Sequence, residues 1–256
     1  MFARKDGRWH CFDRNAGLWH DTGARNFDET FNVKAAENFT LPISARSGLE
    51  PAFSGSKILC VGRNYLKHAQ ELGNDVPARP LWFSKPPSAI IGEGGEVVLP
   101  KGFGRIDYEG ELILVIGRRC RNVVRDEAFA YIAGVTAGFD MTARELQKSD
   151  GQWTRAKGFD TFLPLASVVA PFCEEWQSAN LEVRLNSERV QYSSLNAMVF
   201  QFAELIADIS ACMTLEPGDL IMTGTPEGVG PVKAGDQLEI TISGPCVIDL
   251  AVSCRE

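Results

Sequence analysis

From residue 57 onward the chain is a succession of short apolar runs, each bounded by Gly, Pro, Asn or Asp. Runs of roughly four to eight residues rich in Val, Ile and Leu have strand length rather than helix length. Strands are therefore predicted over 57–61, 96–99, 111–116, 132–139, 181–185, 220–223 and 237–243. Two of the intervening turns rhyme: Glu216-Pro-Gly-Asp219 precedes Leu-Ile-Met, and Lys233-Ala-Gly-Asp236 precedes Gln-Leu-Glu-Ile. A tight Gly turn that feeds a strand, used twice, predicts a β-roll or barrel in preference to a doubly wound sheet. One stretch keeps a different period. Met198, Val199, Phe202, Leu205, Ile206 and Ile209 recur at three and four, which predicts a helix with Ser194 as its cap and Pro217 beyond its end. A shorter helix is predicted over 64–72, stopped by Gly73.

Residues 1–55 have another texture. Strand-like pieces at 9–12 and 39–42 alternate with Gly, Asn and Asp, and 44–56 is rich in Ser, Gly and Pro. This part reads as a small N-terminal module and linker ahead of a main domain at 56–256. With 256 residues, 45% apolar and 23% charged, the chain has ordinary globular composition and enough length for one large core. The formal charge of -7 argues against nucleic acid or an anionic membrane as the main partner, since both recruit concentrated Lys and Arg. The local cluster Arg118, Arg119, Arg121 and Arg125 reads as a solvated turn and edge. Seven scattered cysteines, with no Cys-x-x-Cys spacing, fit buried thiols of a reducing compartment. The first residues lack the apolar core of a secretory signal, and no apolar stretch approaches the roughly 20 residues of a membrane helix. A cytoplasmic protein is expected.

Three acids are out of place in this pattern. Glu109 and Glu111 open the apolar run that ends at Gly117, and Asp140 closes the run from Gly134. In a strand, residues two apart share a face, so two like charges lie side by side unless something positive stands between them. A divalent cation resolves the conflict, and an all-oxygen ligand set favours Mg²⁺, Mn²⁺ or Ca²⁺ over zinc.

Other residues have both a chemical and a bland reading. His68 and Glu71, three apart on the short helix, share a face; a carboxylate beside an imidazole orients it and raises its basicity, as a general base requires. The alternative is an exposed turn with Glu71 paired to Lys67. A helix after Asp140 would line up Asp140, Arg144 and Gln147, a fork and an amide suited to an anionic substrate; alternatively Arg144 simply neutralises Asp140. Residues 148–155 read as a mobile loop leading to Lys157, which could meet a developing oxyanion or be a surface lysine balanced by Asp160. Thr223-Gly-Thr-Pro-Glu-Gly-Val-Gly230 lacks the Lys and Ser/Thr of a phosphate loop, so it reads as a backbone-lined contact for a small carboxylate, with Thr225 as hydroxyl donor, or as a plain turn.

The order of these pieces is itself distinctive. Gly62-Arg-Asn-Tyr-Leu-Lys-His-Ala-Gln-Glu71, Phe83-Ser-Lys-Pro-Pro-Ser88, Asp107-Tyr-Glu-Gly-Glu111, Asp140-Met-Thr-Ala-Arg144, Lys157-Gly-Phe-Asp-Thr-Phe162 and the Thr223 segment together resemble the fumarylacetoacetate hydrolase family, over about residues 57–250. The resemblance implies a mainly β (α+β) fold, a mixed β-sandwich roll of that family's C-terminal-domain type with a small N-terminal module, in a homodimer. It implies Mg²⁺ or Mn²⁺ on Glu109, Glu111 and Asp140, a water-activating dyad of His68 and Glu71, and Lys157 as transition-state stabiliser. Arg144, Gln147, Thr225 and, less directly, Lys85 match substrate contacts. The implied substrates are small 2-keto acids and their enols. The leading expectation is hydrolysis of a C–C bond in an acylpyruvate or fumarylpyruvate. The alternatives are oxaloacetate decarboxylation, isomerisation of a seven-carbon dienedioate, and a catalytically silent binding protein. Gly158 departs from the Ser common after the family's lysine, and residues 1–55 fall outside the match.

Overall fold

The longest apolar runs become the middle of a nine-stranded sheet. The computed structural model describes residues 1–6, 8–13, 18–22, 49–53 and 55–256, so the strand expected at 39–42 lies outside the described residues. Across the sheet the order is Leu18–Asp21, Arg8–Asp13, Phe2–Lys5, Val168–Pro171, Ile132–Phe139, Gly110–Ile116, Leu220–Met222, Ile58–Gly62 and Leu81–Lys85. Gly110–Ile116 and Ile132–Phe139 are buried at every position, which is why they read as continuous apolar runs. Their antiparallel register sets Glu111 opposite Gly138 and Gly110 opposite Phe139. Phe2–Lys5 pairs with Val168–Pro171, so the sheet runs across the boundary expected near residue 55.

A five-stranded sheet, ordered Glu188–Ser194, Asn180–Leu185, Gln237–Ser243, Val247–Arg255 and Glu96–Val98, packs against the first. Its strands alternate between buried and exposed, as a sheet covered on one face must. The two sheets meet at Gly110, where an added Cβ would fall 2.3 Å from Val183 Cγ2. The residue between the two glutamates is thus the point of sheet-to-sheet contact, and Glu109 and Glu111 project the other way. Both sheets are open, so the architecture is the sandwich roll and not a barrel.

Both rhyming turns are closed alike. Asp219 accepts from the Glu216 N–H at 2.7 Å and Asp236 from the Lys233 N–H at 2.8 Å, with Gly218 and Gly235 at φ 83° and 92° supplying the left-handed step.

Among the described residues four α-helices interrupt the strands: α1 (Leu66–Glu71), α2 (Arg144–Ser149), α3 (Thr154–Lys157) and α4 (Phe202–Cys212). The apolar stripe predicted from Met198 enters α4 only at Phe202. Ser194 instead caps a separate 3-10 turn, Leu195–Ala197, and α4 starts with a capping box of Gln201 and Glu204. The break between them is gripped by buried Asn64, whose side chain donates to Phe200 O and Thr223 O and accepts from the Phe200 N–H. Among the described residues no helix is long and apolar enough to cross a membrane.

Candidate active site

Glu109, Glu111 and Asp140 converge, as the strand register requires. All three are buried, and a carboxylate oxygen from each lies within 4.8 Å of the others. Glu109, immediately before the strand Gly110–Ile116, and Glu111, its second residue, flank Gly110, and Asp140 follows the neighbouring strand at the end where Gly138 faces Glu111.

The cations around them are unevenly shared. Lys157 Nζ stands 2.7 Å from Glu109 Oε2 and 2.6 Å from Asp140 Oδ2, and Lys85 Nζ stands 2.6 Å from Asp140 Oδ1. Arg144 reaches Glu109 Oε1 at 2.7 Å. Glu111 has no ion-pair partner among the described residues and accepts one hydrogen bond, from the Gly224 N–H at 2.8 Å. Burial, reinforced by Asp140 and Glu109, therefore pushes the Glu111 carboxyl well above its ordinary range. Burial acts the same way on Glu109, but Lys157 and Arg144 outweigh it and hold that carboxyl low. For Lys157 burial favours the neutral amine, and Asp140 and Glu109 reverse the outcome, so its ammonium is firmly charged. A buried carboxylate beside two others, in no ion pair of its own among the described residues, is what an oxygen-ligand site for a hard divalent ion offers, and the residues fit such an ion.

Above the triad opens a cavity of about 920 Å³, lined by residues that include His68, Glu71, Trp82, Phe83, Glu109, Glu111, Arg144, Gln147, Trp153, Lys157 and Thr225. The structure thus gathers eight of the ten expected site residues around one space. His68 and Glu71 sit on α1, with Nδ1 3.5 Å from Glu71 Oε2, longer than a normal hydrogen bond. Glu71 is held in turn by the Gly228 N–H at 3.1 Å. Burial lowers the His68 pKa below its ordinary 6.5, aided by Arg144 and opposed by Glu109 and Glu71. The imidazole is neutral at pH 7.

The two residues that do not line the cavity are Asp140 and Lys85. Lys85 is wholly buried behind Asp140, where it also donates to Met141 O, and so supports a triad acid from the protein side. Thr225 lines the cavity, but its hydroxyl donates to Gly110 O and accepts from Gln191 Nε2, both at 2.9 Å. It has no proton left for a ligand.

The helix predicted to align Asp140, Arg144 and Gln147 is shorter than that. Asp140 precedes the two-residue strand Thr142–Ala143, and α2 begins at Arg144. Arg144 pairs with Asp107 (Nε to Oδ2, 2.8 Å) and Glu109 instead of neutralising Asp140. Gln147 Oε1 accepts from Arg144 Nη1 at 2.8 Å, leaving the Gln147 amide N–H groups to donate. The loop expected over 148–155 is partly helical: Thr154 starts α3, which carries Lys157 into the buried site and away from any pairing at the surface.

Two contributors escaped the sequence reading. Asp107, fully buried, anchors Arg144 and also takes two bonds from Arg105, at 2.6 and 2.9 Å. The signal was present, because Asp107, Glu109 and Glu111 stand two apart along the same segment. Gln191, from the other sheet, accepts from the Gly110 N–H and donates to Thr225 and Pro226, tying the Thr223 loop to the triad strand. A lone glutamine in a polar edge strand carries no pattern that would have revealed it.

A cavity floored by buried acids and walled partly by aromatic rings, with a neutral histidine and a charged lysine facing one space, defines an enzyme built on a β-sandwich roll. The chain belongs to the fumarylacetoacetate hydrolase family: the fumarylacetoacetate (FAA) hydrolase C-terminal domain matches residues 57–251. It is 45% identical over 207 residues to a mitochondrial oxaloacetate tautomerase of Arabidopsis thaliana, covering 78% of this chain and 92% of that protein. It is 40% identical over 197 residues to a mitochondrial oxaloacetate decarboxylase of Dictyostelium discoideum, covering 75% and 90%. The crystal structure of 2-hydroxyhepta-2,4-diene-1,7-dioate isomerase from Mycobacterium marinum matches with TM-score 0.74 at 40% identity, over 81% of this chain and 77% of that one.

Proposed function

We propose that this enzyme acts at the keto–enol centre of small 2-keto diacids, as an oxaloacetate tautomerase or decarboxylase or as an isomerase of a longer diacid, with Mg²⁺ or Mn²⁺ as cofactor. The observation that carries the reading is the carboxylate triad with Glu111 uncompensated, at the floor of the cavity. The names of the relatives support diacid tautomerisation, decarboxylation and isomerisation over hydrolysis.

Glu109, Glu111 and Asp140 would hold the ion, which supplies Lewis-acid polarisation of the 2-keto oxygen when bound. The protein's own groups do the rest. Lys157, kept charged by its two acids, faces negative charge that develops on the substrate. Arg144, fixed by Asp107, and the free N–H groups of Gln147 orient the substrate carboxylate. His68, neutral at pH 7, accepts a proton at its imidazole, and Glu71, positioned by Gly228, steadies the ring.

Hydrolysis of an acylpyruvate is the second reading, favoured by the same His68 and Glu71 pair, which can take a proton from an attacking water as well as from a substrate carbon. A panel of oxaloacetate, acetylpyruvate, fumarylpyruvate and an unsaturated seven-carbon diacid, followed by loss of enol absorbance after chelation and metal return, tests both. Metal-dependent turnover of the diacids ahead of acetylpyruvate is expected. Full activity after chelation, or turnover of acetylpyruvate alone, would overturn the proposal.

A further inference from the structure

Gln191 occupies the one buried position of the edge strand Glu188–Ser194, whose other residues are half-buried or exposed. A buried amide needs hydrogen-bond partners, and those of Gln191 lie around the triad. Its Oε1 accepts from the Gly110 N–H at 3.0 Å, and its Nε2 donates to Thr225 Oγ1 and Pro226 O, both at 2.9 Å. The orientation of the amide is forced, because the Gly110 N–H can only donate and the Pro226 carbonyl can only accept. Thr225 therefore accepts from Gln191 and directs its own proton to Gly110 O, at 2.9 Å.

These bonds fall on the most pliable point of the triad strand. Gly110 has to be glycine, since the second sheet packs directly on it: an added Cβ would meet Val183 Cγ2 at 2.3 Å and Ile240 Cδ1 at 3.2 Å. That close approach comes with a loss of torsional restraint, because glycine reaches more of φ/ψ space than any residue with a Cβ. Rotation at Gly110 would swing Glu109 and Glu111 apart, one being attached on either side of it.

The neighbouring strand gives little restraint there. Leu220–Met222 pairs only as far as Ile113, and Thr223 adds its bonds at Leu112 O. Beyond that point Gln191 and Thr225 take over, one holding the N–H of the peptide before Gly110 and the other the carbonyl of the peptide after it. The first of these peptides is also gripped from its other side, where Glu109 O accepts from the Asp140 N–H at 2.8 Å. All three acids are thus held in one frame.

We propose that Gln191 is a positioning residue of the metal centre: directly and through Thr225 it fixes the torsions of Gly110, and with them the spacing of Glu109 and Glu111 on which metal affinity depends. The inference rests on the reading of the triad as a metal site and adds a residue from the other sheet that does not line the cavity. Replacing a side chain that orients metal ligands lowers affinity by about 10- to 100-fold.

The test is Mn²⁺ titration of chelator-dialysed, full-length protein. Gln191→Met keeps the bulk of the side chain and removes its hydrogen bonds, so it should weaken Mn²⁺ binding by about 10- to 100-fold. Thr225→Val removes the second hold on Gly110 and should weaken binding in the same direction, whereas Thr225→Ser keeps the hydroxyl and should bind like wild type. Ser210→Ala is the control for stability alone. The Ser210 hydroxyl accepts from the Val123 N–H at 3.0 Å, equally buried but outside the cavity, so this variant should melt lower and keep wild-type Mn²⁺ affinity. Wild-type affinity in a folded Gln191→Met protein would overturn the proposal while leaving the metal site standing. So would a loss shared by Ser210→Ala, or one as large in Thr225→Ser as in Thr225→Val. Should Gln191→Met not fold, Thr225→Val decides alone: unchanged affinity there overturns the proposal. If wild type binds no Mn²⁺, the metal reading fails and the role of Gln191 with it.

Discussion

Replacing Glu111 by Gln should make the metal-free protein more stable and the metal-loaded protein relatively less so. Glu111 is buried, lies beside Asp140 and Glu109, and receives one backbone hydrogen bond. Glutamine keeps the volume and the acceptor for the Gly224 N–H, removes the charge, and places donors beside two acids. The sign follows from linkage. A carboxyl raised in the folded state carries no penalty below its ordinary value of 4.5, and destabilises increasingly as pH climbs through the folded value. At about 1.36 kcal/mol per unit, the penalty at pH 7 has a ceiling of about 3 kcal/mol. Relaxation of the neighbours leaves an expected gain of about 1–3 kcal/mol, or about 3–8 °C in Tm for a chain of this size. Thermal melts of chelator-dialysed protein from about pH 5 to pH 8 would show the gap opening with pH. Saturating Mn²⁺ at a hundred times its Kd should raise the wild type by about 2.7 kcal/mol and the variant by much less, reversing their order. A metal-free variant that melts below wild type at pH 7, or a gap indifferent to pH, would refute the claim that the Glu111 charge is left unpaired by the protein.

Three further outcomes follow from the site. His68→Ala should lower acetylpyruvate hydrolysis by about 10²- to 10⁴-fold while changing oxaloacetate decarboxylation far less, and in wild type the acid limb of kcat/KM should fall below pH 6.5 because burial keeps the imidazole neutral. Lys157→Met leaves Glu109 and Asp140 without their shared cation and should destabilise the metal-free protein by about 3–5 kcal/mol, read from denaturant melts. Asp107→Asn loosens Arg144 while leaving the triad in place, so KM for 2-keto substrates should rise by about tenfold with Mn²⁺ affinity unchanged, measured by steady-state kinetics and titration.

The longest buried strands were legible because their residues answer to one requirement, apolar contact on both faces; Gly110–Ile116 and Ile132–Phe139 read almost to the residue, whereas the four-residue Val168–Pro171, equally buried, was too short to stand out. Leu81–Lys85, with one fully buried position, and the polar edge strand Glu188–Ser194 were not, since little burial constrains their sequence. The triad was visible because acids inside apolar runs contradict their surroundings. Chemistry that depends on a third dimension was hidden. The spacing of Arg144 and Asp140 suggested a pair, but a two-residue strand turns Arg144 toward Asp107, and Thr225 looked like a donor until Gly110 and Gln191 consumed its hydroxyl. Lys85 sits in the motif expected of a substrate contact, yet its strand delivers it behind Asp140.

The most direct test of the account is Mn²⁺ binding to chelator-dialysed protein, by isothermal titration with electron paramagnetic resonance of the free ion. One Mn²⁺ per chain in wild type, lost in Asp140→Asn and Glu111→Gln proteins that keep the wild-type circular dichroism spectrum, is the predicted result. Binding that is absent in wild type, or unchanged in both variants, would contradict the reading of the buried triad as the metal centre of the enzyme.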